Sequence, residues 1–271
     1  MKKIVSIQDI SCYGQCSLTV ALPILSSFGI ETAILPSAIL STHTGGFTGF
    51  TVHDLTEEMP AIVNHWEKEH IRFDAIYTGY IGDARQFDTI RSTKRLLNEG
   101  GLMLVDPAMA DNGKLYPALT EDIVGGMRGL VKEADVILPN LTEAAFLLDE
   151  PYKETYSRED VLDILKKLAA MGPENVILTG VSYEDDRIGA VSYNKTDGSL
   201  IEYFTEKIPR NYHGTGDVFS SVAIAEILNG KDMETVLKSA CEFVVKSIKN
   251  TLSDENHGYG VKFEIVLAEG C

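Results

Sequence analysis

Basic residues are scarce in this sequence, cysteines are few, and long apolar runs are missing. Each shortage excludes something. Lysine and arginine number 24 against 40 aspartates and glutamates, a formal net charge of −16 at pH 7. Such a chain lacks the basic face that a phosphate backbone requires, so nucleic acid is not an expected partner. A nucleotide would have to be held by backbone dipoles, a few basic groups and bound cations. The four cysteines are Cys12, Cys16, Cys241 and Cys271. Cys12 and Cys16 stand in a C-x₃-C spacing, neither a C-x-x-C redox motif nor half of a paired zinc site. They read as ordinary thiols. No run is apolar for long enough to span a membrane, so none is an expected partner. Met1–Ile7 carries Lys2 and Lys3 but no long apolar stretch after them, and reads as a first strand, not a signal peptide. The expected compartment is the cytoplasm.

Several catalytic signatures are missing as well. The sequence contains no G-x-x-x-x-G-K-[ST] and no G-x-G-x-x-G, so neither a P-loop nor a Rossmann fingerprint is present. There is no H-E-x-x-H; His65 and His70 flank Trp66 on an expected solvated helix face. There is no G-x-S-x-G elbow.

What is present is a chain of 271 residues, 44% hydrophobic and 24% charged, which can bury a sizeable core. Short apolar runs predict strands at Ile4–Ile7, Thr32–Leu35, Ala75–Thr78, Leu102–Val105, Val136–Leu138 and Val176–Leu178. Helical patterns lie between them, near Ser17–Ser27, Leu55–Glu69, Gln86–Asn98, Glu121–Lys132, Glu143–Asp149 and Arg158–Ala170. That alternation predicts an α/β fold with a mostly parallel central sheet and helices on both faces. Arg187–Phe204 reads as a hairpin turning at Asp197-Gly198. Helices are expected over Asp217–Leu228 and Met233–Lys249. Residues 36–53, rich in Thr, Ser and Gly, read as a small flap on a single domain spanning residues 1–271.

Polar clusters fall at the ends of the predicted strands, where open α/β sheets bind ligands. Gly214-Thr215-Gly216-Asp217 lies between an extended segment and a helix. Its glycines allow close backbone approach, and amides at a helix start attract anions. Asp217 could accept a proton from an incoming hydroxyl, so amides and carboxylate together suit phosphoryl transfer. A helix start should lower the pKa of Asp217, making it a group that orients the hydroxyl first and takes the proton late. The same four residues also fit a plain capped helix. Asn140 and Glu143, three apart after Val136–Leu138, could serve phosphate or a magnesium-bound water, or simply cap a helix. Asp106-Pro107 could bind a cation or form a turn, with Asp111-Asn112-Gly113 following. Gln8 to Gly14 and Tyr80 could read a substrate ring, or be ordinary loop polarity and a core aromatic.

Taken together, Ile7-Gln8, Tyr13-Gly14, Ser41-Thr42-His43-Thr44, Thr78-Gly79-Tyr80-Ile81-Gly82, Val105-Asp106-Pro107, Pro139-Asn140-Leu141-Thr142-Glu143 and Gly214-Thr215-Gly216-Asp217 resemble the vitamin B6 kinases of the ribokinase-like superfamily. The resemblance spans nearly the whole chain. It implies a three-layer ribokinase-like fold and transfer of the ATP γ-phosphoryl to the 5′-hydroxymethyl of pyridoxal, pyridoxine or pyridoxamine. It implies Asp217 as base, with Gly214 and Gly216 building the anion hole. Asp106, Asn140, Glu143, Thr179 and Thr215 would serve ATP, with Asp106 and Glu143 also serving Mg²⁺. Asp9, Thr44, Gly45 and Tyr80 would face the substrate. A monovalent cation such as K⁺, a homodimer and a lid within Glu206–Tyr212 belong to the same expectation. Many members of the family carry Ser where this chain has Asp9, and some carry Gln where it has Gly45, which leaves the preferred vitamer open. A hydroxymethylpyrimidine kinase of thiamine synthesis and a non-catalytic ligand sensor on the same fold are the alternatives.

Overall fold

The computed structural model describes residues 1–117 and 119–270. In chain order the first half runs β1 (Lys3–Ser11), α1 (Leu18–Ser27), β2 (Glu31–Leu40), β3 (Val52–Asp54), α2 (Met59–Lys68), β4 (Phe73–Thr78), α3 (Gln86–Ser92), β5 (Leu97–Val105), β6 (Ala110–Asp111) and β7 (Lys114–Leu115). The second half runs α4 (Glu121–Val131), β8 (Val136–Ile137), α5 (Leu141–Leu148), α6 (Arg158–Met171), β9 (Asn175–Glu184), β10 (Arg187–Asn194), β11 (Leu200–Glu206), α7 (Thr215–Leu228), α8 (Met233–Thr251) and α9 (Phe263–Ala268).

Among the described residues the main sheet has the order β11-β10-β9-β8-β5-β4-β1-β2-β3. Strands β2, β1, β4, β5, β8 and β9 are parallel, and β3, β10 and β11 add antiparallel edges. Alternation along each strand builds a core on each face. In β1, Val5 and Ile7 enter one cluster with α2 to α6, while Ile4 enters the other with α1, α7, α8 and α9. Helices therefore cover both faces, as the sequence predicts. The chain leaves β1 toward β2 on one side and later passes to β4 and β5 on the other. The crevice between the ends of β1 and β4 is thus a topological switch point, the place where such sheets take ligands.

Two expectations need correction. The predicted helix Gln86–Asn98 stops at Ser92, passes through a 3₁₀ turn over Thr93–Leu96, and becomes β5 at Leu97. Leu97 pairs with Phe73 on the neighbouring strand, and a register shift separates that pair from Ala75 and Leu102. The flap is smaller than residues 36–53, because Pro36–Leu40 complete β2 and Val52–Asp54 pair back onto it. Asp111-Asn112-Gly113 turns the β6–β7 hairpin, with Asn112 and Gly113 at φ 50° and 76°, the positive angles that an Asn-Gly turn supplies.

Candidate active site

The site grows from the start of α7. Gly214 precedes its first turn at φ 78°, and no side chain caps the helix. The plain-cap reading of this run therefore fails, and the first amides of α7 carry the unshared partial charge of a helix start. The two glycines act differently. A Cβ at Gly214 would collide with the carbonyl oxygen of Gln15, whereas one at Gly216 would meet open space. Gly214 is demanded by the floor beneath it; Gly216 leaves the amides approachable. Thr215 turns its hydroxyl back to the Tyr212 carbonyl at 3.3 Å.

Asp217 occupies the third position of α7, and its Oδ2 accepts the backbone N–H of Ser17 at 3.0 Å. Burial, followed by the negative charge of Asp106, pushes its pKa up to about 7. The sequence-based expectation of a lowered value is overturned. Desolvation and a second carboxylate both disfavour the anion, and the Ser17 amide offsets them only in part. Asp106, buried at the exit of β5, accepts the Ser220 hydroxyl on Oδ2 at 2.6 Å, and burial raises its pKa to about 6. Asp9, buried on β1, accepts the Ser11 hydroxyl at 2.9 Å, and its pKa is raised by burial. Tyr80, half-buried at the exit of β4, is pushed up to about 12 by burial and then by the charge of Asp9. Asp9 on β1 and Tyr80 just past the end of β4 thus flank the switch point.

The start of α5 is built in the opposite way. Asn140 Oδ1 accepts the Glu143 amide at 2.9 Å, and Glu143 Oε2 accepts the Asn140 amide at 2.8 Å, a complete capping box. Glu143 Oε1 also accepts the Met109 amide at 3.2 Å, and Asn140 Nδ2 donates to the Ala110 carbonyl at 2.9 Å. Burial and then Asp106 raise the pKa of Glu143. Thr179 joins this end, its amide donating to the Pro139 carbonyl at 2.9 Å. The half-buried Thr44 and Gly45 lie in the flap loop. Gly45 packs so closely on the His213 ring that a Cβ there would collide with it, and the His43 and His213 rings are 5.6 Å apart. The flap therefore closes onto the residue just before Gly214.

Sequence reasoning missed Ser17, Gln15, Ser220 and His213. Ser220 was findable, since it lies three residues after Asp217 and so on the same helical face. Ser17 carried no such signal. The leading causes of the shifts at Asp9, Asp106, Glu143 and Asp217 include no lysine or arginine. Among the described residues no group of three His, Cys, Asp or Glu is arranged to hold a metal. The donor set fits a cation that brings most of its ligands with it. Mg²⁺ takes one or two carboxylates and fills the remainder with phosphate oxygens and water.

An open helix start beside a carboxylate of raised pKa and further buried acids suits phosphoryl transfer. The sequence profile for phosphomethylpyrimidine kinase matches residues 26–261. The chain belongs to that family. This kinase is thus a phosphotransferase acting on an alcohol group. Its fold is similar to that of a Bacteroides thetaiotaomicron VPI-5482 protein, a provisionally assigned phosphomethylpyrimidine kinase crystallised with pyridoxal, with TM-score 0.94 and 39% identity over 99% of this chain and 95% of that one. Pyridoxal kinase from Lactobacillus plantarum is similar at TM-score 0.91 and 30% identity, covering 99% of this kinase and 96% of its own chain. A pyridoxal kinase of Dictyostelium discoideum is 26% identical across 92% of this chain and 86% of its own length. These relatives bear out the resemblance to the vitamin B6 kinases. Among the described residues no helix is long and apolar enough to cross a membrane.

Proposed function

We propose that this kinase transfers the γ-phosphoryl group of ATP to the 5′-hydroxymethyl of pyridoxal, pyridoxine or pyridoxamine. One observation carries the reading. Asp217 stands at an uncapped helix start with its carboxylate held by the Ser17 amide and its pKa raised to about 7. A base poised near neutrality can accept the hydroxyl proton as the oxygen attacks the γ-phosphorus and the bond to the ADP oxygen breaks. The amides of Thr215, Gly216 and Asp217 lie where they can stabilise charge growing on the transferred group. The pyridoxal bound to the 39% identical neighbour supports the substrate class.

In this reading Asp9, Thr44, Gly45 and Tyr80 line the pyridine end, and Thr179 and Thr215 the nucleotide end. Asp106 would hold Mg²⁺ directly. Asn140 and Glu143 would act through water, because their polar atoms already serve the α5 cap and the β6 backbone. Bound there, the metal supplies charge neutralisation for the phosphates; a monovalent cation would add to it. A homodimer, checked by sedimentation, and a cytoplasmic setting go with this function.

The family profile makes hydroxymethylpyrimidine the competing substrate. The deciding experiment is ATP-dependent phosphorylation of the three vitamers and of hydroxymethylpyrimidine by wild type and Asp217→Asn. The expected result is preferential turnover of a B6 vitamer that falls about 10²–10⁴-fold in the variant while nucleotide binding persists. Preference for the pyrimidine would reassign the substrate. Full activity in the variant would remove Asp217 from the mechanism, and no turnover by wild type would favour a ligand sensor.

A further inference from the structure

Ser17, immediately before α1, is buried and holds φ 54° and ψ −130°. A positive φ is uncommon for a residue with a Cβ, and this ψ lies outside the usual left-handed region. Such backbone persists only where the surroundings over-determine it, and it gathers at working sites. Here the result is specific. The strained residue points its N–H at Asp217 Oδ2, and its hydroxyl stabilises the Asp9 carboxylate. One residue thus ties together two acids that come from β1 and α7.

Two residues before Ser17 stands Gln15, which is held from several sides. The Gln15 amide donates to the Tyr259 carbonyl at 3.0 Å. Its side-chain Nε2 donates to Glu264 Oε1 at 2.7 Å, and its Oε1 lies 2.9 Å from His257 Nε2. Gly260 packs so tightly on Gln15 that a Cβ there would collide with it, and the Gln15 carbonyl is the floor beneath Gly214. From the other side, the Thr19 hydroxyl reaches the carbonyls of Cys16 and Gly14, at 2.8 and 3.1 Å. The segment from His257 to Glu264 therefore clamps the loop that presents Ser17.

We propose that Gln15 and Ser17 are positioning residues for the phosphoryl-transfer site: Gln15, clamped by the C-terminal segment, keeps Ser17 in its strained backbone so that the Ser17 amide aims the Asp217 carboxylate. The inference rests on Asp217 acting as the base. It explains why an acid at a helix start turns away from its own helix, and why Gly214 lies against Gln15.

The test is a double-mutant cycle of Gln15→Ala and Ser17→Gly, read by steady-state kinetics and by urea unfolding. Glycine adopts positive φ without strain, so it should free the loop from its dependence on Gln15. Gln15→Ala alone is expected to lower kcat about tenfold with nucleotide KM within about twofold, the mark of lost orientation. In the Ser17→Gly background the same change should lower kcat less than about threefold. Equal losses in both backgrounds, or a loss confined to KM, would overturn the proposal. Should Gln15→Ala fail to fold, Glu264→Ala removes an exposed partner of Gln15, and the same coupling to Ser17→Gly is expected on a smaller scale. The unfolding arm needs no substrate. Ser17→Gly should stabilise the wild-type chain more than the Gln15→Ala chain, in which an unclamped Ser17 has already relaxed, and equal shifts would refute the clamp. A wild type inactive on B6 vitamers would sink the functional reading while leaving that arm decisive.

Discussion

Helices α5 and α7 both begin with an acid at the third position, and the two starts are put to opposite uses. At α5, Asn140 and Glu143 satisfy each other's amides, and the remaining Glu143 oxygen takes the Met109 amide. The donors are consumed within the protein, and the helix is locked in place. At α7, a left-handed glycine replaces the capping side chain, and Asp217 turns away to Ser17. The donors stay available and the acid stays poised. Sequence position is shared; the capping side chain present at α5 and absent at α7 is what sets these two starts apart.

The largest expected effect breaks this contrast at α7. Gly214→Ala forces a Cβ into the Gln15 carbonyl at φ 78°, and kcat should fall at least about 100-fold as the amides shift. Steady-state kinetics on refolded, monodisperse protein checks it, and a loss below about threefold would mean the left-handed start is dispensable.

The second prediction concerns pH. Asp217 must be ionised to act, so kcat/KM should climb about tenfold between about pH 6 and pH 8. Its stability linkage runs the other way. With the folded pKa raised to about 7 from 3.8, the group contributes stability that is complete below the unfolded value and lost as pH rises through about 7. Asp217→Asn should therefore be more stable than wild type at about pH 8, by about 1–2 kcal/mol after allowing for partial solvation, and nearly equal by about pH 4. Glu143→Gln should show the reverse, losing about 1–3 kcal/mol because buried amides lose an acceptor. Urea midpoints across pH decide both, and a Glu143→Gln chain as stable as wild type would erase the distinction.

A smaller effect is expected at Asp9, which shares Ser17 with Asp217. Asp9→Ser should reduce the kcat/KM for pyridoxamine relative to pyridoxal and pyridoxine by about fivefold, since a buried carboxylate favours a cationic amine. Unchanged relative preference would remove Asp9 as a selector. Smallest of all, Asn140→Ala should cost about 1 kcal/mol of stability through loss of the α5 cap. A rise in nucleotide KM well beyond the corresponding factor of about five would instead make α5 a direct contact.

How far the sequence revealed this comparison depends on where each signal originates. Strands buried on both faces announced themselves as apolar runs, such as Ile4–Ile7 and Ala75–Thr78. Val52-His53-Asp54 forms β3 with every residue exposed, so no hydrophobic pattern could mark it. The β6 and β7 strands are two residues each, too short to show a pattern, so the hairpin that Asn112-Gly113 turns went unread. At the site, Asp106 and Asp217 were legible because strand exits and glycine-flanked helix starts are local features. The raised pKa of Asp217 was not, since it comes from burial and from Asp106, brought close only by folding. Ser17 was least legible of all. Its importance lies in a backbone angle and in a partner 200 positions away.

That separation bears on how the molecule comes into being. Helix α7 packs on α1, closing a core that includes Val20, Ile24 and Val218. On an elongating ribosome the face of α1 must wait, uncovered, until most of the chain has been made. The Ser17 amide and the Asp217 carboxylate that accepts it are synthesised 200 residues apart. A nascent fragment that ends before Asp217 thus has the aiming amide without the acid it aims.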